Sequence, residues 1–319
     1  MSNDFLSPIV VSSSIYPVAT NTSLQIDPTQ LLNPNRTAML VDQFRFSLSD
    51  VGNANIDRSF GYQMYVNIQL GAIHLTNGYV PLVSLCPYYD GSPTDVANTT
   101  GVAGLDNPLV WHLPKPLYVP SNVSMYVSTL RIVPTSDTLT ASLGFRCAVA
   151  GRSLPANYPI PASIYAPWGT SSYVNGLQGT TTSSLAGVTT FVTPDNALGN
   201  PNDSPLMVTR LLGFHQPVPV FLASNDAQNG PNGMTVRMTI SNGKLLVREP
   251  TPFFHLFPLS RRFVDLRAYL RGSNEVPGGE FVKARIDFTP PTSSNYSAFQ
   301  FTGLGLVGYR SVPCPPGAN

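Results

Sequence analysis

The chain has 319 residues with 18 Lys and Arg against 17 Asp and Glu, and only 11% of its residues are charged. Ordinary globular domains carry about 25%, so Ser, Thr, Asn, Gly and Pro must cover much of this surface. With a net charge of +1, copies repel one another little. Residues 1–155 hold 7 basic and 9 acidic side chains and residues 156–319 hold 11 and 8, which excludes a basic nucleic-acid footprint on either half. The 31 Pro and 25 Gly leave little room for long helices. No apolar run reaches the roughly 18 residues that a membrane-spanning helix needs.

Residues 1–32 are polar and irregular, contain no Lys or Arg, and read as an N-terminal arm. Met1-Ser2-Asn3-Asp4-Phe5 lacks the basic start and apolar run of a signal peptide. Strands are predicted from Asn33 onward. Tyr62, Met64, Val66, Ile68 and Leu70 alternate with polar neighbours, the period-two pattern of a half-buried strand. Asn77-Gly78 is a tight-turn pair, and Tyr79 to Leu85 is predicted to return as a strand. Residues 90–108 read as a loop. Leu109 to Leu113 reads as a strand, Pro114 to Pro120 as a turn, and Val123, Met125 and Val127 as the next alternating strand. Thr138 to Ala150 closes this half.

Residues 156–199 are punctuated by Pro159, Pro161 and Pro167 and carry a Gly/Ser/Thr-rich run from Gly176 to Ser184. They read as a connection with one or two strands near Val188 to Val192. Beyond it, Met234 to Ile240, Lys244 to Arg248, Val264 to Leu270, Val282 to Phe288 and Phe299 to Tyr309 are predicted strands. Asn242-Gly243 is the turn between the first two.

Three landmarks recur in one order. Asn33-Pro34-Asn35 leads into Met39-Leu40-Val41-Asp42-Gln43-Phe44-Arg45-Phe46, and Asn200-Pro201-Asn202 leads into Leu206-Met207-Val208-Thr209-Arg210-Leu211-Leu212-Gly213-Phe214. Trp111-His112-Leu113 is echoed by Phe254-His255-Leu256, and Arg152-Ser153-Leu154-Pro155 by Arg310-Ser311-Val312-Pro313. The copies lie 167, 143 and 158 residues apart, as expected for loops of different length on one framework. Asn33 and Asn200 are read as the starts of the opening strands of two units of six to eight strands. That is the size of one antiparallel sandwich or jelly roll. The expected fold is all-β: two consecutive antiparallel jelly-roll barrels with few short helices, an arm over 1–32, barrels over 33–155 and 200–313, a linker over 156–199 and a tail over 314–319.

Two such units in a chain of this size and neutrality, opening on Met39 to Phe46, resemble the double jelly-roll major capsid proteins of tailless icosahedral viruses, many with an internal membrane, including bacterial ones. The resemblance covers 33–313 and rests on architecture. It implies a homotrimer with six barrels, a pseudo-hexagonal capsomer that tiles a virion shell after assembly in the host cytoplasm. It implies contacts with neighbouring capsomers, with penton, minor capsid or membrane proteins, and peripherally with an internal membrane, but no sequence-specific nucleic-acid binding. Two other readings stand beside it. One is a single jelly-roll shell domain with a projecting β domain, which usually carries a basic N-terminal arm that this chain lacks. The other is a carbohydrate-binding or carbohydrate-cleaving double β-sandwich.

No catalytic, cofactor or metal residue is assigned. His74, His112, His215 and His255 are the only histidines, and His112 and His255 are expected at matching barrel corners. Asp42 reads as a solvent-facing or turn-capping carboxylate. Glu275 and Glu280 flank a Gly/Pro turn and read as exposed, and there is no G-x-S-x-G, P-loop or H-E-x-x-H. The loops Asp90 to Asp95 and Asn196 to Asp203 are candidate Ca²⁺ loops with no ligand named, and Asp90 and Asp95 are too sparse for an EF-hand. Arg261, Arg262, Arg267 and Arg271, with Asp265 among them, read as a subunit contact or solvated face. Cys86, Cys147 and Cys314 form no CxxC and are expected as free thiols, compatible with a reducing compartment. The N-x-[ST] triplets at Asn21, Asn98, Asn122, Asn202 and Asn295 carry little weight in so Asn-, Ser- and Thr-rich a chain.

Overall fold

The computed structural model describes residues 7–50, 63–86, 109–132, 143–177, 190–194, 197–217, 234–240, 245–257, 263–265, 275–288 and 299–315. The chain divides into two compact units: residues 1–169 with 308–319, and residues 170–307. The strands are β1 (Ser7–Ser12), β2 (Tyr16–Val18), β3 (Ser23–Gln25), β4 (Met39–Asp50), β5 (Met64–Leu70), β6 (Ile73–His74), β7 (Val80–Pro81), β8 (Leu109–Val119), β9 (Met125–Arg131) and β10 (Leu143–Ser153). They continue as β11 (Ser163–Leu177), β12 (Thr190–Val192), β13 (Leu206–Pro217), β14 (Met234–Ile240), β15 (Leu245–Pro252), β16 (Phe263–Asp265), β17 (Glu275–Val276), β18 (Val282–Phe288) and β19 (Phe299–Pro313).

Four sheets result. The first has the order β1-β10-β4-β8, with β2 also on β10; the second has the order β3-β9-β5-β6, with β7 also on β5. The third runs β11-β19-β13-β16, with β17 on β13, and the fourth runs β12-β18-β14-β15. Counting β1 with β2, β6 with β7 and β16 with β17 as one strand each, both sets read first-eighth-third-sixth and second-seventh-fourth-fifth. Two four-stranded antiparallel sheets interleaved in this way are a jelly roll, and this chain makes it twice.

This order corrects three expectations. Residues 7–32 are not an arm: β1 runs antiparallel to β10 from Ser7↔Ser153 to Ser12↔Ala148, and β3 pairs with β9. Residues 156–199 are not merely a linker, because β11 and β12 are the first two strands of the second set. Asn33 and Asn200 therefore open the third strand of each set, not the first. Their equivalence holds, since β4 lies between β10 and β8 as β13 lies between β19 and β16.

The β4 sequence explains its bend. Met39 and Val41 are buried, then Phe44, Phe46 and Leu48, so the alternation changes phase at Asp42-Gln43. A bulge does this: pairing with β8 skips from Val41↔Leu117 to Gln43↔His112, and pairing with β10 shifts at Ala150/Gly151. Gly151 is required there, because a Cβ on it would lie 1.9 Å from the Leu40 carbonyl oxygen. Past the bulge Phe44 stacks on Trp111 at 5.5 Å and Phe46 on Phe145 at 6.1 Å. Each such buried ring contributes roughly 1.5–3 kcal/mol.

Two strand boundaries differ from the sequence pattern. β8 continues through Pro114 and Pro116, where a turn was expected; it forms the rim of its sheet, where a missing N–H breaks no ladder. After Val80-Pro81 the chain turns into a 3₁₀ segment, Leu82–Ser84, all buried, so Tyr79 to Leu85 is only briefly a strand. In residues 170–307 the core includes Phe214, Phe253 and Phe257, each about 1% exposed. Phe253 and Phe257 meet at 5.0 Å across the helical turn Phe253–Leu256.

Candidate interaction surface

The rim formed by β8 carries an aromatic cluster. Lys115 sits with its Nζ 5.8 Å from the ring centres of both Tyr165 and Tyr309, which meet edge to face at 5.6 Å. These contacts hold the ammonium over ring faces, a cation–π arrangement. The Pro-rich segment 155–162 adds Tyr158, stacked on Tyr118 at 6.4 Å, and Ile160, which is 62% exposed. Its turn is closed by the Tyr158 N–H donating to the Pro155 carbonyl, and the Cys314 N–H donates to the Ala162 carbonyl. Burial raises the Tyr118 phenol, helped by Cys314 and Tyr158, and burial raises the Cys314 thiol. Tyr165 is half exposed.

Beneath the surface lies a buried cation. Arg310 is only 4% exposed; its Nη2 donates to the His74 carbonyl at 2.8 Å and its guanidinium lies 4.8 Å over the Trp168 ring. Its Nε finds no acceptor among the described residues. Burial lowers its pKa to about 10, so it remains charged at neutral pH. Neither its duplicate Arg152, half exposed and 3.5 Å from Asp42, nor Asp42 itself is buried.

The Asn-Pro-Asn landmarks become two matching knots. Asn33 Nδ2 donates to the Thr37 carbonyl at 3.0 Å, to Thr37 Oγ1 at 2.9 Å and to Ser153 Oγ at 3.0 Å, while its Oδ1 accepts from Asn35 N–H at 3.0 Å. Asn200 Nδ2 donates to the Ser204 carbonyl at 2.9 Å and the Val276 carbonyl at 3.0 Å, and its Oδ1 accepts from Asn202 N–H at 3.4 Å. The i→i+4 and i+2→i bonds are the same in both. The third landmark also matches, since Arg152 and Arg310 lie near the ends of the last strands β10 and β19. The second does not: Trp111-His112 lies within β8, whereas Phe254-His255 lies in the helical turn before β16. The expectation of matching histidines at barrel corners is corrected accordingly.

The other residues singled out by sequence are scattered. His74 and His255 are exposed, and His112 Nδ1 lies 3.2 Å from Gln43 Nε2. His215 lies on β13, with its side chain outside the described set. Glu275 is exposed on β17 and Glu280 half-buried. Asn21 has a positive φ of 55° in a turn. Asp203 is exposed, and the Asn200 side chain in the same loop is consumed by its backbone bonds. Among the described residues no group of three His, Cys, Asp or Glu side chains could hold a metal. Asp90, Asp95, Asn98, Asn295, Arg261, Arg262, Arg267, Arg271 and Asn242-Gly243 lie outside the described residues. Cys86 and Cys147 are free and buried, and burial raises both thiols; Cys314 is free and half-buried. Among the described residues no helix is long and apolar enough to cross a membrane. Sequence reasoning missed the Lys115 cluster, because Tyr165 and Tyr309 are far apart in the chain and only the sheet order brings them together.

No protein-family model matches the chain, and no curated protein does. Among solved structures, a chain of the Sputnik virophage, determined by electron cryo-microscopy, is similar over 96% of this chain and 86% of that one, at 10% identity and a TM-score of 0.41. The mavirus major capsid protein is similar over 96% and 87%, at 8% identity and a TM-score of 0.34. A chain of the cowpea mosaic virus top component, described as naturally occurring empty particles, is similar over 98% and 92%, at 12% identity and a TM-score of 0.33.

Proposed function

We propose that this chain is a structural capsid protein that acts by self-association, forming homotrimeric capsomers that tile an icosahedral virion shell around a genome. The observation that supports this reading is the jelly-roll strand order made twice in one chain. A jelly roll closes its core within itself and leaves its rims and loops for contacts. Three chains with two such units each supply six similar blocks, which suit a pseudo-hexagonal tile under closed symmetry. The neutral surface serves the same end, since it puts little charge repulsion between copies. In this reading the first barrel opens at β1 and no side chain is a catalyst. Neighbouring capsomers are the principal partners, and penton, minor capsid or membrane proteins would meet the same blocks.

The reading with a single shell domain and a projecting domain fits less well, because both strand sets have one order. A glycan site would set exposed rings beside carboxylates, whereas exposed Tyr165 and the half-buried Tyr309 are set beside Lys115. Sedimentation velocity of the purified chain at micromolar concentration tests the proposal. The expected species is three times the 34.3 kDa of one chain. A stable monomer under mild conditions would contradict it.

A further inference from the structure

The first sheet has two rims, and they are built differently. β8 carries Pro114, Lys115 and Pro116, devices that keep a rim from pairing with a foreign strand. The opposite rim, β1, has the sequence Ser7-Pro8-Ile9-Val10-Val11-Ser12, and no charged residue occurs from Phe5 to Ile26. Val10 is 60% exposed and Ile15, just beyond, is 48% exposed. Among the described residues β1 pairs with β10 alone.

The hydrogen-bond phase of β1 is fixed. Ser13 N–H donates to the Cys147 carbonyl at 2.9 Å, continuing the register Ser12↔Ala148 and Val11↔Val149. In an antiparallel pair, residues alternate between bonding the partner and facing away. Ile9 and Val11 therefore bond β10, and Pro8, Val10 and Ser12 direct their main-chain groups outward. The outward donors are the N–H groups of Val10 and Ser12, and both have outward carbonyls to match. Ser14, past the end of the strand, is already engaged, its N–H donating to Gln30 Oε1 at 2.7 Å.

This rim is complementary to itself. Two antiparallel copies related by a two-fold axis at Val11 set Val10 opposite Ser12 of the other copy, twice. Each outward N–H then meets an outward carbonyl, giving four reciprocal bonds, and Pro8 falls outside the bonded pairs. Absence of charge removes the usual repulsion between identical strands. We propose that β1 is an assembly rim that pairs with β1 of a second copy, joining capsomers by a continuous sheet across a two-fold axis. This rests on the self-association reading above and names its contact. Four bonds are weak singly, and a shell repeats them many times over.

Val10→Pro isolates the idea. It removes one outward N–H and sets a ring in the path of the second strand, while the bonds of Ile9 and Val11 to β10 remain. Wild-type and V10P protein are compared by sedimentation and electron microscopy under assembly conditions. The expected result is that V10P keeps the wild-type capsomer and loses closed shells by at least ten-fold in yield. V10P shells at wild-type yield would overturn the rim while leaving the self-association reading intact. Wild-type protein that never associates would overturn the self-association reading and the rim with it. Should V10P misfold by near-ultraviolet circular dichroism, Val10→Lys takes its place, with the same two outcomes. Hydrogen exchange on wild-type shells reads the contact directly: amides of Val10 and Ser12 should slow about ten-fold or more relative to free capsomers, and unchanged exchange overturns the proposal.

Discussion

Asn33→Ala and Asn200→Ala test whether the two Asn-Pro-Asn turns are structural equivalents. Asn200 is 1% exposed and Asn33 is 6% exposed, so water does not readily replace their bonds. In N200A the carbonyls of Ser204 and Val276 lose the Nδ2 donor they share, at 2.9 and 3.0 Å, and Asn202 N–H loses its acceptor. An unsatisfied buried group costs roughly 1–3 kcal/mol, and partial relaxation brings the expected total to about 2–3 kcal/mol. N33A should cost about as much, because it strips the Thr37 carbonyl, Thr37 Oγ1 and Ser153 Oγ of the same donor. Asn200→Asp is sharper. It keeps the acceptor and turns the donor into a second acceptor that faces two carbonyls, so it should be less stable than N200A. Such a carboxyl has a raised pKa when folded. The native state then holds the proton that the unfolded chain releases, so N200D stability must fall as pH rises above about 4. The assay is urea denaturation at one protein concentration. Tryptophan fluorescence reports residues 1–169 through Trp111 and Trp168, and circular dichroism reports the whole chain. The equivalence would be refuted by one of N33A and N200A costing about 2–3 kcal/mol while the other stays within about 0.5 kcal/mol of wild type, and the donor role of Asn200 by N200D matching N200A at pH 8.

Gly151→Ala should destabilise by about 3 kcal/mol or more, since its Cβ would lie 1.9 Å from a backbone oxygen that cannot rotate away; denaturation midpoints check this. Asp42→Asn should change stability by no more than about 0.5 kcal/mol, because its 3.5 Å pair with Arg152 is solvent-exposed. Ellman's reagent should modify Cys314 first, and Cys86 and Cys147 only after unfolding. Burial raises the latter two thiols in the folded chain, so the unfolded state loses their protons first. Their contribution to stability is present below about pH 9 and declines as pH rises past it, which thermal melts of wild type against Cys147→Ala would resolve.

Central strands were legible because alternation survives where one face is buried: β5, β14 and β18 follow Met64 to Leu70, Met234 to Ile240 and Val282 to Phe288. Rim and short strands were not. β1 to β3 are three to six residues each, Ser-Pro-Ile-Val-Val-Ser, Tyr-Pro-Val and Ser-Leu-Gln, with little burial, which resembles irregular chain until β10 and β9 are seen to pair with them. β8 hid behind Pro114 and Pro116, which are tolerated only because that strand is a rim. The Asn33 and Asn200 echo was genuine because one side-chain geometry closes both turns. The Trp111-His112 and Phe254-His255 echo was not, because those residues lie in a strand and in a helical turn. The interaction surface was not legible: Lys115 lies in the segment Pro114 to Pro120 that reads as a turn, and its two tyrosines are gathered by sheet order alone.

Negative-stain electron microscopy of the purified chain, with class averages computed without imposed symmetry, tests the central claim most directly. The expected averages show three-fold particles with six density lobes, and larger arrays built of them. A field of single-chain particles at micromolar concentration would contradict it.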